Sequence, residues 1–149
     1  MQTIRAKLLV PGVTPDLVPR PRLVERLDEG LARRLTLVSG PAGFGKTTVL
    51  GEWLASSGRP VAWVTLDESD DDLVTFFSYF VAAVRTVYHA SCADSFELLA
   101  ARSVPPARLL AATLANDLEA LPGEIVIVLD DLQTVGDLTV FGVLDQVIA

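Results

Sequence analysis

The spacing of apolar residues predicts alternating strands and helices along most of this chain. Three short, mainly apolar runs are bounded by turn residues or aspartates and are predicted to be strands: Leu35–Val38, Val61–Leu66 and Ile125–Leu129. The last of them is continuously apolar, as is typical of a parallel strand buried on both faces. Elsewhere apolar residues recur every three or four positions, which predicts helices. The predicted helices are Leu23–Leu31, residues 46 to about 57, Leu73–Tyr88, a short one at about Ser95–Ala101, Pro105–Leu118 and Asp137–Ala149. Prolines before residue 20 predict an extended, mostly irregular lead-in.

The longest periodic stretch begins at Leu73, and its aromatic stripe is typical of a buried core face. Five carboxylates come just before it, at Asp67, Glu68, Asp70, Asp71 and Asp72. A cluster of this kind suits either a metal site or the start of a helix. We prefer the helix start, with Asp70 or Asp71 as the cap and the other carboxylates near the positive end of the helix dipole.

A glycine-rich loop joins the first predicted strand to the helix that follows it. It matches the pattern G-x-x-x-x-G-K-[ST] and consists of Gly40, Pro41, Ala42, Gly43, Phe44, Gly45, Lys46, Thr47 and Thr48. In such a P-loop the backbone N–H groups surround nucleotide phosphates, the lysine reaches the β- and γ-phosphate oxygens, and Thr47 is a ligand of Mg²⁺. A plain strand-to-helix turn is the alternative, and it leaves Lys46 unexplained.

A second motif follows about 80 residues later, where Ile125–Leu129 ends in Asp130 and Asp131. Ligands of open α/β sheets bind beyond the carboxyl ends of strands, so these carboxylates are placed as in a Walker B motif. We expect Asp130 to hold Mg²⁺ and Asp131 to orient or deprotonate the attacking water. Two aspartates also form ordinary turns, but the preceding P-loop favours a nucleotide site with Lys46 and Asp131 as catalytic residues.

Composition limits the possible partners. The chain has 149 residues, half of them apolar and 21% charged, which suits part of a larger body with surface meant for a neighbour. Net charge is −7, but residues 1–34 carry +3 and the remainder −10, so direct contact with nucleic acid is not expected. Apolar runs are too short for a membrane span, and we expect a cytoplasmic protein. Cys92 is the single cysteine, and we predict that its thiol is buried or half-buried.

With both motifs in place, the chain resembles the N-terminal part of the ATPase domain of large ATP-binding LuxR-type regulators. These belong to the STAND class of signalling NTPases and include the maltose-regulon activator. The resemblance rests on Lys7–Pro11, Leu17–Leu23, Gly40–Thr48, Val61–Asp67 and Ile125–Asp131. It implies that Val18 and Arg20 contact adenine, that Lys46 and Thr47 contact phosphate and Mg²⁺, and that Asp130 and Asp131 are the two acidic residues. Leu132 and Gln133 depart from the aromatic and histidine often found after these aspartates.

The resemblance implies an α/β, P-loop NTPase-type parallel sheet flanked by helices in three layers. We expect residues 1–34 to form a lead-in with the adenine-contacting element, and residues 35–149 a partial NTPase core. In this class a further strand lies between the P-loop and Walker B strands, so we expect an incomplete sheet here.

The implied function is that of an ATP·Mg²⁺-dependent switch with slow hydrolysis in a bacterial transcriptional regulator. It would bind ATP or ADP and act through self-association or other domains, with DNA bound by a C-terminal domain. The alternatives are a metabolic P-loop kinase or ATPase and a non-hydrolysing nucleotide-binding scaffold.

Overall fold

The computed structural model describes residues 3–12, 18–39 and 45–149. Contacts divide the chain into two compact units. The sheet unit consists of Met1–Leu9 and Pro60–Ala149, and the loop-helix unit is Val10–Arg59. The loop-helix unit contains α1 (Pro21–Gly30) and α2 (Lys46–Ser57). The sheet unit contains β1 (Val61–Thr65), α3 (Leu73–Val87), α4 (Ala93–Ala100), α5 (Ala107–Glu119), β2 (Val126–Asp130) and α6 (Leu138–Ile148).

The two strands form a parallel sheet. Their register runs from Val61 beside Val126 to Thr65 beside Asp130. The crossover between them contains α3, α4 and α5, in keeping with the long connection that parallel strands need. One further bond extends the ladder, because the N–H of Leu66 donates to the carbonyl oxygen of Asp130 at 2.9 Å. Both carboxyl ends therefore lie at the same edge, and the predicted α/β class with a parallel sheet flanked by helices is confirmed.

The core of the sheet unit is formed by β1 and all four of its helices, with α3 packed against β1. Phe76, Phe77 and Phe80 are buried, and the rings of Phe76 and Phe77 meet edge to face with centroids 4.8 Å apart. Trp63 on β1 is also fully buried. The predicted aromatic core face of α3 is thus confirmed. Burying such rings is among the largest stabilising contributions a domain of this size has.

The acidic turn after β1 is structural, as expected, but its caps differ from the prediction. Asp67 caps a 3-10 turn over Glu68–Asp70, and Asp72 caps α3 by accepting from the N–H of Thr75 at 2.8 Å. Asp70 and Asp71 were the wrong candidates, because the helix begins at Leu73 as predicted and Asp72 is the residue directly before it, while Asp70 and Asp71 belong to the preceding 3-10 turn and its end. Asp71 instead accepts from the N–H groups of Gly136 and Asp137, at 2.9 and 2.8 Å.

Lys7 explains the position of the buried carboxylate in this turn. Its ammonium lies 2.6 Å from Asp70 Oδ2 and 2.7 Å from Asp67 Oδ2, and 4.9 Å from the centre of the Tyr79 ring. The N–H of Ile4 donates to the Tyr79 hydroxyl at 3.1 Å. Part of the lead-in is consequently ordered against β1 and α3, and it forms a 3-10 turn at Arg5–Leu8 where an irregular segment was predicted.

Two strand predictions need correction. Leu35–Val38 forms no strand, and Leu35 and Leu37 are 60% and 79% exposed. A strand needs a neighbour for its N–H and C=O groups, and the sheet of the described residues contains only β1 and β2. The predicted burial of β2 on both faces is also wrong, since only Val128 and Asp130 of this strand are buried and the rest are half-buried.

In the part of the chain that the structure describes, no helix combines the length and apolar character needed to cross a membrane.

Candidate nucleotide-binding site

The start of α2 has the backbone geometry that a P-loop requires at its last glycine. Gly45 precedes the helix with φ 71° and ψ 31°, a left-handed conformation that glycine adopts without strain. Its carbonyl oxygen accepts the first helical hydrogen bond, from the N–H of Val49 at 2.9 Å. No side chain of the described residues caps this helix. An anion at this helix start would be stabilised by the first-turn N–H groups and by the helix dipole.

Lys46 and Thr47 are both half-buried in this first turn, while Thr48 is exposed. The other predicted loop residues, Gly40–Phe44, lie outside the described residues.

Arg20 lies beside the last glycine of the loop. A Cβ atom at Gly45 would stand 3.4 Å from Arg20 Nη2 and 3.6 Å from Nη1. Arg20 is the residue immediately before α1, and its own N–H donates to Glu52 of α2, with Oε1 at 3.3 Å and Oε2 at 3.4 Å. Val18, the other predicted adenine contact, is 73% exposed. The structure thus brings Arg20 and the start of α2 together, and the cationic side chain adds positive charge beside the loop.

Glu52 is a residue that the sequence analysis missed. Glu52 and Lys46 are the only charged residues of α2, so a single carboxylate in a helix with one other charge was the available signal. Its neighbour Trp53 is buried and donates its indole N–H to Asp28 Oδ1 of α1 at 2.7 Å. Two successive residues of α2 therefore contact α1 at two separate places.

The paired aspartates stand together at the carboxyl end of β2. Asp130 is 8% exposed, and its Oδ1 accepts from the N–H of Asp131 at 3.1 Å. Asp131 is exposed and has a left-handed backbone, with φ 60°, which is uncommon for a residue with a side chain. Gln133 donates its amide to Asp131 Oδ1 at 3.2 Å. One of the two residues at which the chain departs from the pattern, Gln133, therefore contacts the second carboxylate.

These residues form two groups. Gly45, Lys46, Thr47 and Arg20 belong to the loop-helix unit, and Asp130 and Asp131 to the sheet unit. Among the described residues there is no cluster of three or more His, Cys, Asp or Glu side chains able to hold a metal ion. Mg²⁺ in nucleotide sites commonly has one or two carboxylates, with phosphate and water as the other ligands. The paired aspartates and the uncapped helix start thus fit Mg²⁺ and phosphate, respectively.

Comparison with known proteins gives one family match and several relatives. The AAA ATPase domain family matches residues 21–140. The chain is similar to the HTH-type transcriptional regulator MalT of Vibrio cholerae, with 31% identity over 137 residues, 92% of the chain and 15% of the relative. For MalT of Cronobacter sakazakii the identity is 34% over 128 residues, 86% of the chain and 14% of the relative.

The chain is also 32% identical to the serine/threonine-protein kinase PknK of Mycobacterium tuberculosis over 127 residues, 83% of the chain and 11% of that protein. It therefore spans 15% or less of the length of these relatives. The predicted resemblance to an ATPase module similar to MalT is confirmed. With a match that covers most of its length, the chain belongs to the AAA ATPase domain family.

Proposed function

We propose that this chain binds ATP or ADP with Mg²⁺ and serves as the nucleotide-dependent switch, with slow hydrolysis, of a bacterial transcriptional regulator. The observation that carries the proposal is the start of α2. There a left-handed glycine, an uncapped helix N-terminus and the guanidinium of Arg20 gather donors and positive charge next to the predicted phosphate loop. This arrangement suits a polyphosphate better than any neutral ligand.

Each predicted site residue has a role in the proposal. Gly40–Thr48 would surround the phosphates, with the ammonium of Lys46 on the β- and γ-phosphate oxygens. Thr47 and Asp130 would hold Mg²⁺, which when bound neutralises developing phosphate charge. Asp131, kept in orientation by Gln133, would accept a proton from the attacking water or position it. Val18 and Arg20 would contact the adenine. Both belong to the lead-in of residues 1–34, which would form one functional segment, and residues 35–149 would form the partial NTPase core.

The regulatory part of the proposal is supported by the MalT relatives, whose names describe HTH-type transcriptional regulators. We propose a cytoplasmic protein that signals through self-association or through other domains of the same polypeptide. The net charge of −10 beyond residue 34 disfavours direct contact of this region with DNA. A switch requires ATP to bind its two states with different affinity.

Calorimetric titration of the purified protein with ATP and Mg²⁺ tests the binding step. We expect Lys46→Ala to weaken ATP binding at least about tenfold, since a charged hydrogen bond contributes roughly 1.5–3 kcal/mol. Arg108→Ala, which removes an exposed cation of α5, is the matched control and should bind as the unaltered protein does. Equal affinity of Lys46→Ala and the control would refute the site.

Single-turnover hydrolysis separates a switch with turnover from a scaffold. Asp131→Asn should keep ATP affinity and lose most of the hydrolysis rate, because the amide cannot accept the proton of water. Asp145→Asn, an exposed aspartate of α6, is the control. If the unaltered protein binds ATP but shows no turnover, and Asp131→Asn behaves identically, the scaffold alternative is correct.

A further inference from the structure

We propose that Glu52 is a positioning residue that holds Arg20 in place for contact with the bound nucleotide. The inference rests on the proposed function, because it assigns Glu52 a role only in a site that binds nucleotide. It concerns a pair of residues 32 positions apart, so the contact between them is a product of the tertiary fold.

The hydrogen bond from Arg20 to Glu52 fixes the backbone at the start of α1. Arg20 is the N-cap residue of this helix, and its N–H has no acceptor within the helix itself. Glu52 supplies the acceptor with both carboxylate oxygens, at 3.3 and 3.4 Å. The same carboxylate lies near the positive end of the α1 dipole, which stabilises it there. Pro21 at the first helical position restricts the backbone on the other side.

Glu52 and Gly45 lie on the same face of α2. They are seven residues apart, which is close to two helical turns. The backbone of Arg20 is held at the level of Glu52, while its guanidinium lies against Gly45. The arginine side chain therefore runs along this face toward the phosphate loop, and its position depends on where the backbone is held.

A second contact keeps α1 itself in place without Glu52. Trp53, which is 4% exposed, donates to Asp28 Oδ1 near the other end of α1. Loss of the Glu52 carboxylate should thus release the start of α1 and Arg20 while the helix stays packed.

A double-mutant cycle on ATP affinity tests the inference. The variants are Glu52→Gln, Arg20→Ala and their combination, with Glu25→Gln on the exposed face of α1 as control. We expect Glu52→Gln and Arg20→Ala each to weaken ATP binding about five- to tenfold, and the double variant to bind no more weakly than Arg20→Ala alone. The control should bind as the unaltered protein does.

A purely structural role for Glu52 predicts additive losses in the cycle, and additivity would overturn the proposal. So would a Glu52→Gln variant that binds ATP normally. If Glu52→Gln lowers the Tm too far for titration, Glu52→Asp, which keeps the charge on a shorter side chain, takes its place in the same cycle. Should the unaltered protein bind no ATP, the proposed function fails. Binding that is lost in Lys46→Ala and unaffected at Glu52 refutes this inference alone.

Discussion

The ammonium of Lys7 lies 2.6 Å from Oδ2 of Asp70, a carboxylate whose side chain is 1% exposed. Burial acts to lower the pKa of Lys7, but hydrogen bonds and charge attraction from Asp67 and Asp70 outweigh it and raise that pKa above its ordinary value. The ammonium is therefore the counter-charge that allows an aspartate to be placed inside the sheet unit. The pair therefore ties the lead-in to the turn that follows β1.

Replacing Lys7 with methionine should destabilise the sheet unit strongly. The substitution leaves the buried Asp70 carboxylate with the N–H of Asp67 as a donor but without its counter-charge, and breaking a buried ion pair in this way costs about 3 kcal/mol or more. The free energy of unfolding in urea measures the loss. Arg5→Met, at an exposed position of the same turn, is the control and should change it by less than about 0.5 kcal/mol.

The double variant Lys7→Met, Asp70→Asn should recover much of that stability, because it removes both charges. If Lys7 acted only through the packing of its methylene groups, the double variant would be no more stable than Lys7→Met alone.

Acid should weaken the same cluster in a defined pH range. Hydrogen bonds from Lys7 and Ser69 lower the pKa of Asp67 to about 2. A carboxylate with a depressed native pKa contributes stability above its unfolded pKa and loses it as pH falls through the native value. We thus expect stability to fall between about pH 4 and pH 2. Chemical denaturation at several pH values should show a shallower fall for Asp67→Asn, and an unchanged profile would contradict this assignment.

Gly45 and Gly58 provide a matched pair at the two ends of α2. Both have a left-handed backbone, with φ 71° and 65°, but a Cβ at Gly58 would meet open space while one at Gly45 would meet Arg20. Alanine at either position should cost about 1–2 kcal/mol of stability through backbone strain. Only Gly45→Ala should also weaken ATP binding, as measured by calorimetry. Equal ATP affinities in the two variants would show that the backbone at Gly45 has no part in the site.

Cys92 should be unreactive in the folded protein. The thiol is buried, and desolvation together with the nearby charge of Asp117 raises its pKa to about 11. The thiolate, which is the reactive form, is then scarce near pH 8. Reaction with a disulfide reagent at that pH should be slow and should accelerate at the urea concentration where the sheet unit unfolds. Fast reaction in native buffer would mean that the start of α4 opens readily.

Local patterns predicted most elements of the sheet unit. The periodicity of α3 and the apolar runs of β1 and β2 gave elements close to those observed, because their partners are present in the same unit. Leu35–Val38 has an equally apolar sequence but forms no strand, since pairing depends on a neighbour that a local pattern does not reveal. The caps were missed for a related reason. Which aspartate is buried depends on Lys7, 63 residues away.

The sequence predicted the two motifs of the candidate site but not the hydrogen bonds that other side chains make to the site residues. The left-handed Gly45 is a consequence of the loop pattern, and Asp130 and Asp131 lie at a strand end as that pattern requires. The contacts of Glu52 and Gln133 were not predicted because each depends on a backbone position fixed by folding. The roles of Val18, Lys46, Thr47 and the paired aspartates in nucleotide chemistry stay predictions.

The two tryptophans of the chain fall one in each compact unit. Trp53 belongs to the loop-helix unit and Trp63 to the sheet unit, and each indole donates to a local acceptor, Asp28 and Thr65 respectively. Each half of the molecule thus carries its own intrinsic fluorophore. With one indole replaced by phenylalanine, the emission of the other reports on a single unit, so that melting of the loop-helix unit can be separated optically from melting of the sheet unit.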